Sequence, residues 1–124
     1  MKHMTINGVG GKVHYWISRP NNNSKGALVF THGLTADHTM YERQVAYFKN
    51  DYVVITWDVP LHGLSIPYQE FSYEITARDL NSILLQESIG KVCLIGMSMG
   101  GYPSQMFAYL YPEKVQCFVG IDTT

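Results

Sequence analysis

The ten residues VCLIGMSMGG, numbers 92–101, decide the fold. The apolar run 92–95 predicts a buried strand and the residues from Met99 to about Leu110 predict a helix, so Ser98 falls on the turn between them. A serine on so sharp a turn has a strained backbone, and its neighbours two positions away must lack a bulky Cβ; Gly96 and Gly100 meet that condition. The turn is predicted to lift the Ser98 hydroxyl to the sheet edge, beside helix N-terminal N–H groups.

Strands and helices alternate on both sides of this turn. A β-hairpin over residues 4–19 is followed by strands predicted at 27–31, 52–57, 92–95 and 115–121, with helices at 40–48, after an N-cap at Ser72, and from 99 to about 110. This order predicts one α/β domain over 1–124: a mostly parallel, twisted sheet with helices on both faces. Ligands of such sheets bind at the carboxyl ends of the strands.

Two further strand ends carry polar residues. His32 and Gly33 follow the third strand, and acyl-transfer chemistry needs two N–H donors aimed at a developing oxyanion. The N–H groups of Leu34 and Met99 are the candidates, with His32 expected to bond the loop backbone rather than to act in catalysis. Asp58 and His62, after the fourth strand, are expected to hold their own loop together by hydrogen bonds.

Composition excludes several functional classes. The net charge is −1 and the cationic residues are scattered, so no nucleic-acid or membrane partner is expected, only a small-molecule substrate. No signal peptide or long apolar span is visible, which favours a cytoplasmic protein. In that compartment Cys93 and Cys117 are expected to be unpaired small apolar residues, and their spacing indicates no metal site.

The three strand-end segments, in this order, resemble the α/β-hydrolase family. Its pattern is a strand ending in His-Gly, then Asp-x-Pro-Gly-His-Gly-x-Ser, then Gly-x-Ser-x-Gly-Gly; here Asp58–Ser65 is the middle segment, with Leu61 in place of a glycine. The resemblance covers nearly the whole chain. It implies a serine hydrolase of the esterase or lipase type that acts without a cofactor on esters, thioesters, amides or related carbonyl compounds, and the nearest likeness is to small soluble esterases and carbon–carbon bond hydrolases.

The sequence departs from the family in its histidines. The family triad runs Ser, then Asp or Glu, then His. None of the 26 residues that follow Ser98 is a histidine. All five histidines precede it: His3, His14, His32, His38 and His62. The resemblance therefore implies that the base, together with the acid, lies outside this chain. Asp122, after the sixth strand, is an acid position in a minority of members, but a structural role is favoured there.

The chain is accordingly expected to be the N-terminal part of a hydrolase, truncated after about the sixth strand and nearly inactive alone. Three alternatives stay open: an inactive fragment, a non-catalytic relative that binds a small molecule or partner in the same cleft, and an improvised base, His32 or His62. The last strand, Val115–Ile121, would form an exposed apolar sheet edge, which predicts self-association.

Overall fold

The computed structural model describes residues 1–123; Thr124, the last residue of the predicted domain, lies outside the described residues. Six strands form one sheet: β1 Lys2–Asn7, β2 Lys12–Ser18, β3 Ala27–Thr31, β4 Val53–Trp57, β5 Val92–Met97 and β6 Val115–Ile121. Their order across the sheet is β1-β2-β4-β3-β5-β6. The hairpin β1–β2 is antiparallel and joins β4 antiparallel, whereas β4, β3, β5 and β6 run parallel to one another.

Three α-helices cover the two faces of the sheet: α1 Glu42–Phe48, α2 Tyr73–Gln86 and α3 Gly101–Leu110. On one face Leu80 and Ile83 of α2 and Phe107 of α3 pack in one core with Val29 of β3. On the other face Val45 of α1 packs in a second core with Leu28 and Phe30 of β3. Neighbouring residues of β3 thus enter opposite cores, as the alternation of side chains along a strand requires. The predicted fold class is confirmed.

The central strands are buried along their whole length. Every residue of β3 and of β4 is buried. Continuous apolar runs such as Ala27–Thr31 are typical of parallel strands that have helices on both faces. Both parallel strands end at the same edge of the sheet, and the residues after them begin the loops that form the candidate site.

Helix boundaries depart slightly from the predicted ones. Residues Ser98–Gly100 form one turn of 3-10 helix before α3 begins at Gly101, and a similar turn, His38–Tyr41, precedes α1. Helix α2 begins where the sequence predicts, because the Ser72 hydroxyl accepts a hydrogen bond from the Ile75 N–H at 3.0 Å. No helix among residues 1–123 is long and apolar enough to cross a membrane.

The two cysteines form a disulfide, so the prediction that they are unpaired was wrong. Cys93 of β5 and Cys117 of β6 are register partners with Cα atoms 4.5 Å apart. The apolar runs around each cysteine indicated two strands, but they carried no information that those strands are neighbours. Disulfides persist mainly in oxidising compartments. The cytoplasmic location stays a prediction.

Candidate active site

Ser98 lies on an exposed, sharply bent turn between β5 and α3. Its φ is +51°, in the left-handed region that residues other than glycine seldom adopt. The preceding Met97 is still extended, with φ −110° and ψ 133°, and the following residues enter the helix. The direction of the chain therefore reverses at this one residue, and the side chain of Ser98 is exposed at the carboxyl edge of the sheet.

Gly96 and Gly100 make this turn possible by close backbone packing. A Cβ atom added to Gly100 would lie 2.3 Å from the Thr31 carbonyl oxygen at the end of β3. A Cβ added to Gly96 would lie 2.5 Å from the Gly100 carbonyl oxygen and 2.8 Å from the hydroxyl of Ser104. The Ser104 hydroxyl itself donates to the Gly100 carbonyl at 2.8 Å. Any larger residue would push the turn away from β3.

The loop after β3 lies against Ser98. A Cβ built on Gly33 would sit 3.5 Å from the Cβ of Ser98, so the two segments are in van der Waals contact. The next residue, Leu34, has a backbone N–H that finds no acceptor within residues 1–123. Met99 follows Ser98 within the first helical turn, Ser98–Gly100, where N–H groups lack intrahelical acceptors. Both predicted oxyanion donors thus belong to segments that meet at Ser98.

His32 is a buried structural residue. Its Nδ1–H donates to the Gly33 carbonyl at 2.8 Å, and its Nε2 accepts from the Val59 N–H at 3.1 Å. Burial, the largest cause, lowers its pKa below the usual value, which keeps the ring neutral near pH 7. Because both ring nitrogens are engaged, His32 cannot take a proton from Ser98. It instead joins the loop after β3 to the loop after β4.

Asp58 fastens three segments at the same edge. One carboxylate oxygen accepts from the backbone N–H and from the ring Nδ1–H of His38, each at 2.8 Å, and the other accepts from the Leu64 N–H at 2.9 Å. Gly63, with φ +49°, is required here because a Cβ would lie 2.3 Å from this carboxylate. Sequence reasoning missed His38, since its pairing with Asp58 depends on two loops that are distant in the chain.

Asp37, His38 and Asp58 bring potential metal ligands within 4.8 Å of one another. Their groups are already committed to the loop structure. The His38 Nδ1 donates to Asp58, and one oxygen of Asp37 accepts from both the N–H and the hydroxyl of Thr39. These side chains therefore fit a structural role in stabilising the loops and do not favour a metal centre.

A cleft with a volume of about 400 Å³ opens beside the Ser98 turn. Thr35 and His62 are the polar residues of its lining. The other lining side chains are mainly apolar: Leu34, Leu61, Phe71, Tyr73 and Met99. His62 lines the cleft and its Nδ1–H donates to the Pro60 carbonyl at 3.1 Å, so Nε2 is the ring nitrogen that this bond does not engage. Of the two histidines considered as improvised bases, only His62 retains that capacity.

Sequence reasoning missed Phe71 and Tyr73 as cleft residues. They flank Ser72, the N-cap of α2. In a parallel α/β sheet the helix N-termini lie at the same edge as the strand carboxyl ends, so the predicted N-cap could have placed them. Asp122 follows β6 at this edge, is exposed, and has φ +48°.

Comparisons with known proteins agree with the fold. A sequence model described as the alpha/beta hydrolase fold matches residues 26–124. The chain is 33% identical to 3-oxoadipate enol-lactonase 2 of Acinetobacter baylyi, over 78% of this chain and 37% of the lactonase. It is 32% identical to the sn-1-specific diacylglycerol lipase ABHD11 of Mus musculus, over 77% of this chain and 32% of the lipase.

Among solved structures, a thermophilic esterase from Thermogutta terrifontis superposes with a TM-score of 0.84 and 25% identity, covering all of this chain and 46% of the esterase. The chain spans about a third of the length of the curated relatives it matches, 37% and 32% for the two named above. The family match over most of the chain, the sheet order and the tight serine turn lead to one conclusion: the chain belongs to the α/β-hydrolase family.

Proposed function

We propose that this chain carries the nucleophile of a serine hydrolase, with Ser98 attacking a carboxylic ester or a similar carbonyl substrate. One observation carries the proposal: the exposed Ser98 has a left-handed backbone, and Gly96 and Gly100 on either side of it lie so close to neighbouring backbone that neither position has room for a Cβ atom. Strain that the surroundings enforce is typical of functional sites.

Another exposed serine helps to separate strain from function. Ser88 also has a left-handed backbone, with φ +58°. It follows Glu87, the C-cap of α2, at a position where a left-handed residue commonly ends a helix. Ser98 differs because it stands between a strand and a helix N-terminus, with the Leu34 loop against it. Ser88 therefore provides a matched control.

In the proposed reaction the Ser98 Oγ adds to the carbonyl carbon, and its proton passes to a histidine supplied from outside the 124 residues. The N–H groups of Leu34 and Met99 donate to the oxyanion that forms. The intermediate then releases the alcohol, which takes the proton from that histidine, and leaves the acyl group on Ser98. Water hydrolyses this ester and regenerates the serine. The names of the relatives, a lactonase and a lipase, support carbonyl hydrolysis.

A fluorophosphonate probe tests the proposal on the longest polypeptide expressed from the gene. We expect peptide mapping to find the label on Ser98, with labelling lost in Ser98→Ala and retained in Ser88→Ala. An unlabelled but folded wild-type protein would contradict the proposal. It would favour the alternative of a non-catalytic relative that binds a small molecule or partner in the same cleft. That alternative is motivated by the sequence, because every histidine precedes Ser98.

The 124-residue chain by itself is expected to be nearly inactive, because a serine hydroxyl without a base is a weak nucleophile. Turnover of an activated ester should not exceed that of the Ser98→Ala chain. If turnover does exceed it, the His62→Ala variant decides whether the Nε2 of His62 acts as the base. Unchanged activity of His62→Ala would exclude it.

A further inference from the structure

A stack of aromatic rings lies on the β1–β2 hairpin, away from the cleft beside Ser98. The indole of Trp16 lies between two imidazoles, with ring centroids 4.7 Å from His3 and 3.4 Å from His38. His14 stacks in turn on His3, with the ring centroids 5.0 Å apart. The ring of His3 is therefore held between two neighbours, and its orientation is fixed by packing.

His3 and His14 bring two ring nitrogens together on adjacent strands. His3 is the register partner of Trp16, and His14 is that of Thr5, so the two histidines are diagonal neighbours on one face of the hairpin. The Nε2 of His3 and the Nδ1 of His14 lie 2.8 Å apart at a solvent-exposed position. Within residues 1–123 the two rings make this hydrogen bond and no other.

The separation of these nitrogens matches that of two ligands on one metal ion. A Zn–N bond is about 2.0–2.1 Å long, so two nitrogens that subtend about 90–109° at the ion lie about 2.8–3.4 Å apart. An ion beside the line between the nitrogens takes the place of the hydrogen that they share. The ring that donated this hydrogen keeps its proton on its other nitrogen, because neutral imidazole has two tautomers.

This pair differs from the group formed by Asp37, His38 and Asp58. There the Asp58 carboxylate accepts from the backbone N–H groups of His38 and Leu64, so an ion would compete with bonds that hold two loops. At the hairpin an ion replaces a single bond between two exposed side chains. The paired strands hold both side chains in place before any ion binds, which favours affinity.

We propose that His3 and His14 bind a divalent transition-metal ion such as Zn²⁺ or Cu²⁺, for which imidazole is a preferred ligand. Water fills the remaining coordination positions, because the pair is exposed. The ion cross-links β1, the outermost strand, to β2 and so stabilises the hairpin. The site does not depend on the proposed hydrolase function, since neither histidine lines the cleft beside Ser98.

Zinc titration of the 124-residue chain tests the proposal. Nitrogen NMR of the imidazole rings should show that Zn²⁺ shifts the Nε2 of His3 and the Nδ1 of His14, and that Mg²⁺, which prefers oxygen ligands, does not. Calorimetry gives the dissociation constant. Loss of a group one shell out from a metal costs about 10–100-fold in affinity, so His3→Gln and His14→Gln should each weaken Zn²⁺ binding about tenfold or more.

The matched control is His62→Gln, which removes a histidine outside the pair and should keep the wild-type affinity. Stability gives a second measurement. A ligand that binds only the folded state stabilises it, so saturating Zn²⁺ should raise the urea midpoint of the wild type and leave that of His3→Gln unchanged. Circular dichroism without metal checks that each variant is folded.

The α-amino group of Met1 is also a nitrogen donor and lies two residues before His3. A form with a short extension before Met1 moves this amine away and should bind Zn²⁺ as tightly as the wild type, because the proposed site uses side chains alone. Loss of binding in the extended form would overturn the proposal. Equal Zn²⁺ affinity of the wild type and either glutamine variant, or nitrogen shifts confined to His38, would also overturn it.

Discussion

Ser98 adopts a conformation that is costly for every residue except glycine. A left-handed backbone costs an L-residue about 1–2 kcal/mol, and at φ +51° Ser98 bears this cost in the folded state. We predict that Ser98→Gly is more stable than Ser98→Ala by about 1 kcal/mol in the free energy of unfolding, since alanine keeps the strain and glycine removes it. Urea denaturation of both variants measures the difference. Equal midpoints would mean that the turn is not strained.

Gly100 allows the turn to touch the end of β3. A Cβ there would approach the Thr31 carbonyl oxygen to 2.3 Å, so backbone has to move. Gly100→Ala is predicted to lower the free energy of unfolding by about 1–3 kcal/mol, as overpacking does, and to abolish fluorophosphonate labelling at Ser98. The matched control is Gly90→Ala, because a Cβ on Gly90 meets no atom within 4 Å. If both variants behave alike, close packing does not explain the glycine.

Residue-scale prediction from sequence succeeded where the signal was local. The glycine spacing around Ser98 determines the geometry of one turn, and the observed contacts of Gly96 and Gly100 explain that spacing. His38 was missed because its partner Asp58 is contributed by a different loop. No pattern within either loop indicates that pairing. The assignment of Ser98 as nucleophile stays a prediction until a covalent probe is used.

At the scale of secondary-structure elements, Asp79 connects α2 to the hairpin. It is buried, and its carboxylate accepts from the Val9 N–H at 3.0 Å and from the Tyr68 hydroxyl. A Cβ on Gly8 would lie 2.7 Å from the same carboxylate, so the hairpin turn closes directly onto it. Asp79 therefore holds the turn between β1 and β2, the loop before α2 and α2 itself in one arrangement.

This contact makes stability depend on pH. Burial, the largest cause, raises the pKa of Asp79 above its ordinary value, although the hydrogen bonds from Tyr68 and Val9 oppose the rise. Between the ordinary and the raised pKa the folded state binds more protons than the unfolded state, so the free energy of unfolding falls as pH rises through that range. Asp79→Asn should remove this part of the dependence.

Urea denaturation at a series of pH values measures the effect. The matched control is Glu74→Gln, which changes an exposed carboxyl on the same helix. It should keep the wild-type slope. A slope for Asp79→Asn equal to that of the wild type would show that another group titrates.

Element-scale prediction succeeded for strands and was less accurate for helix starts. β3 and β6 have the predicted bounds, because each is a mostly apolar run between turn residues. The helix after Ser98 begins with a 3-10 turn, which periodicity cannot distinguish from an α-helical turn. The disulfide was missed for another reason. Strand order across a sheet is set by the whole topology, and the residues around each cysteine do not indicate that β5 and β6 are neighbours.

At the scale of the whole molecule, residues 1–123 leave one region of the sheet uncovered. β6 is the outermost strand, and its residues Phe118, Val119 and Ile121 are 37%, 47% and 39% exposed. Beside it a cavity of about 320 Å³ is lined almost entirely by apolar side chains, among them Phe30 and Ile95. No charged residue or proline occurs in the strand itself, so the usual protection of an edge is missing.

We predict that a second copy of the chain covers this surface. Sedimentation velocity of the 124-residue chain should show an average mass that rises with concentration. Val119→Lys places a charge on the exposed strand and should return the chain to the monomer, whereas Tyr109→Lys, on the exposed side of α3, should not. A monomer at every concentration would contradict the prediction.

The position of β3 has a consequence for how the protein is made. β3 lies in the middle of the sheet, yet both of its partners come later in the chain, with Leu28 paired to Val54 and to Cys93. As the polypeptide leaves the ribosome, the β1–β2 hairpin can close at once, but the mostly apolar strand β3 must wait for distant segments. We expect nascent chains that end before residue 92 to depend on a chaperone that shields this strand.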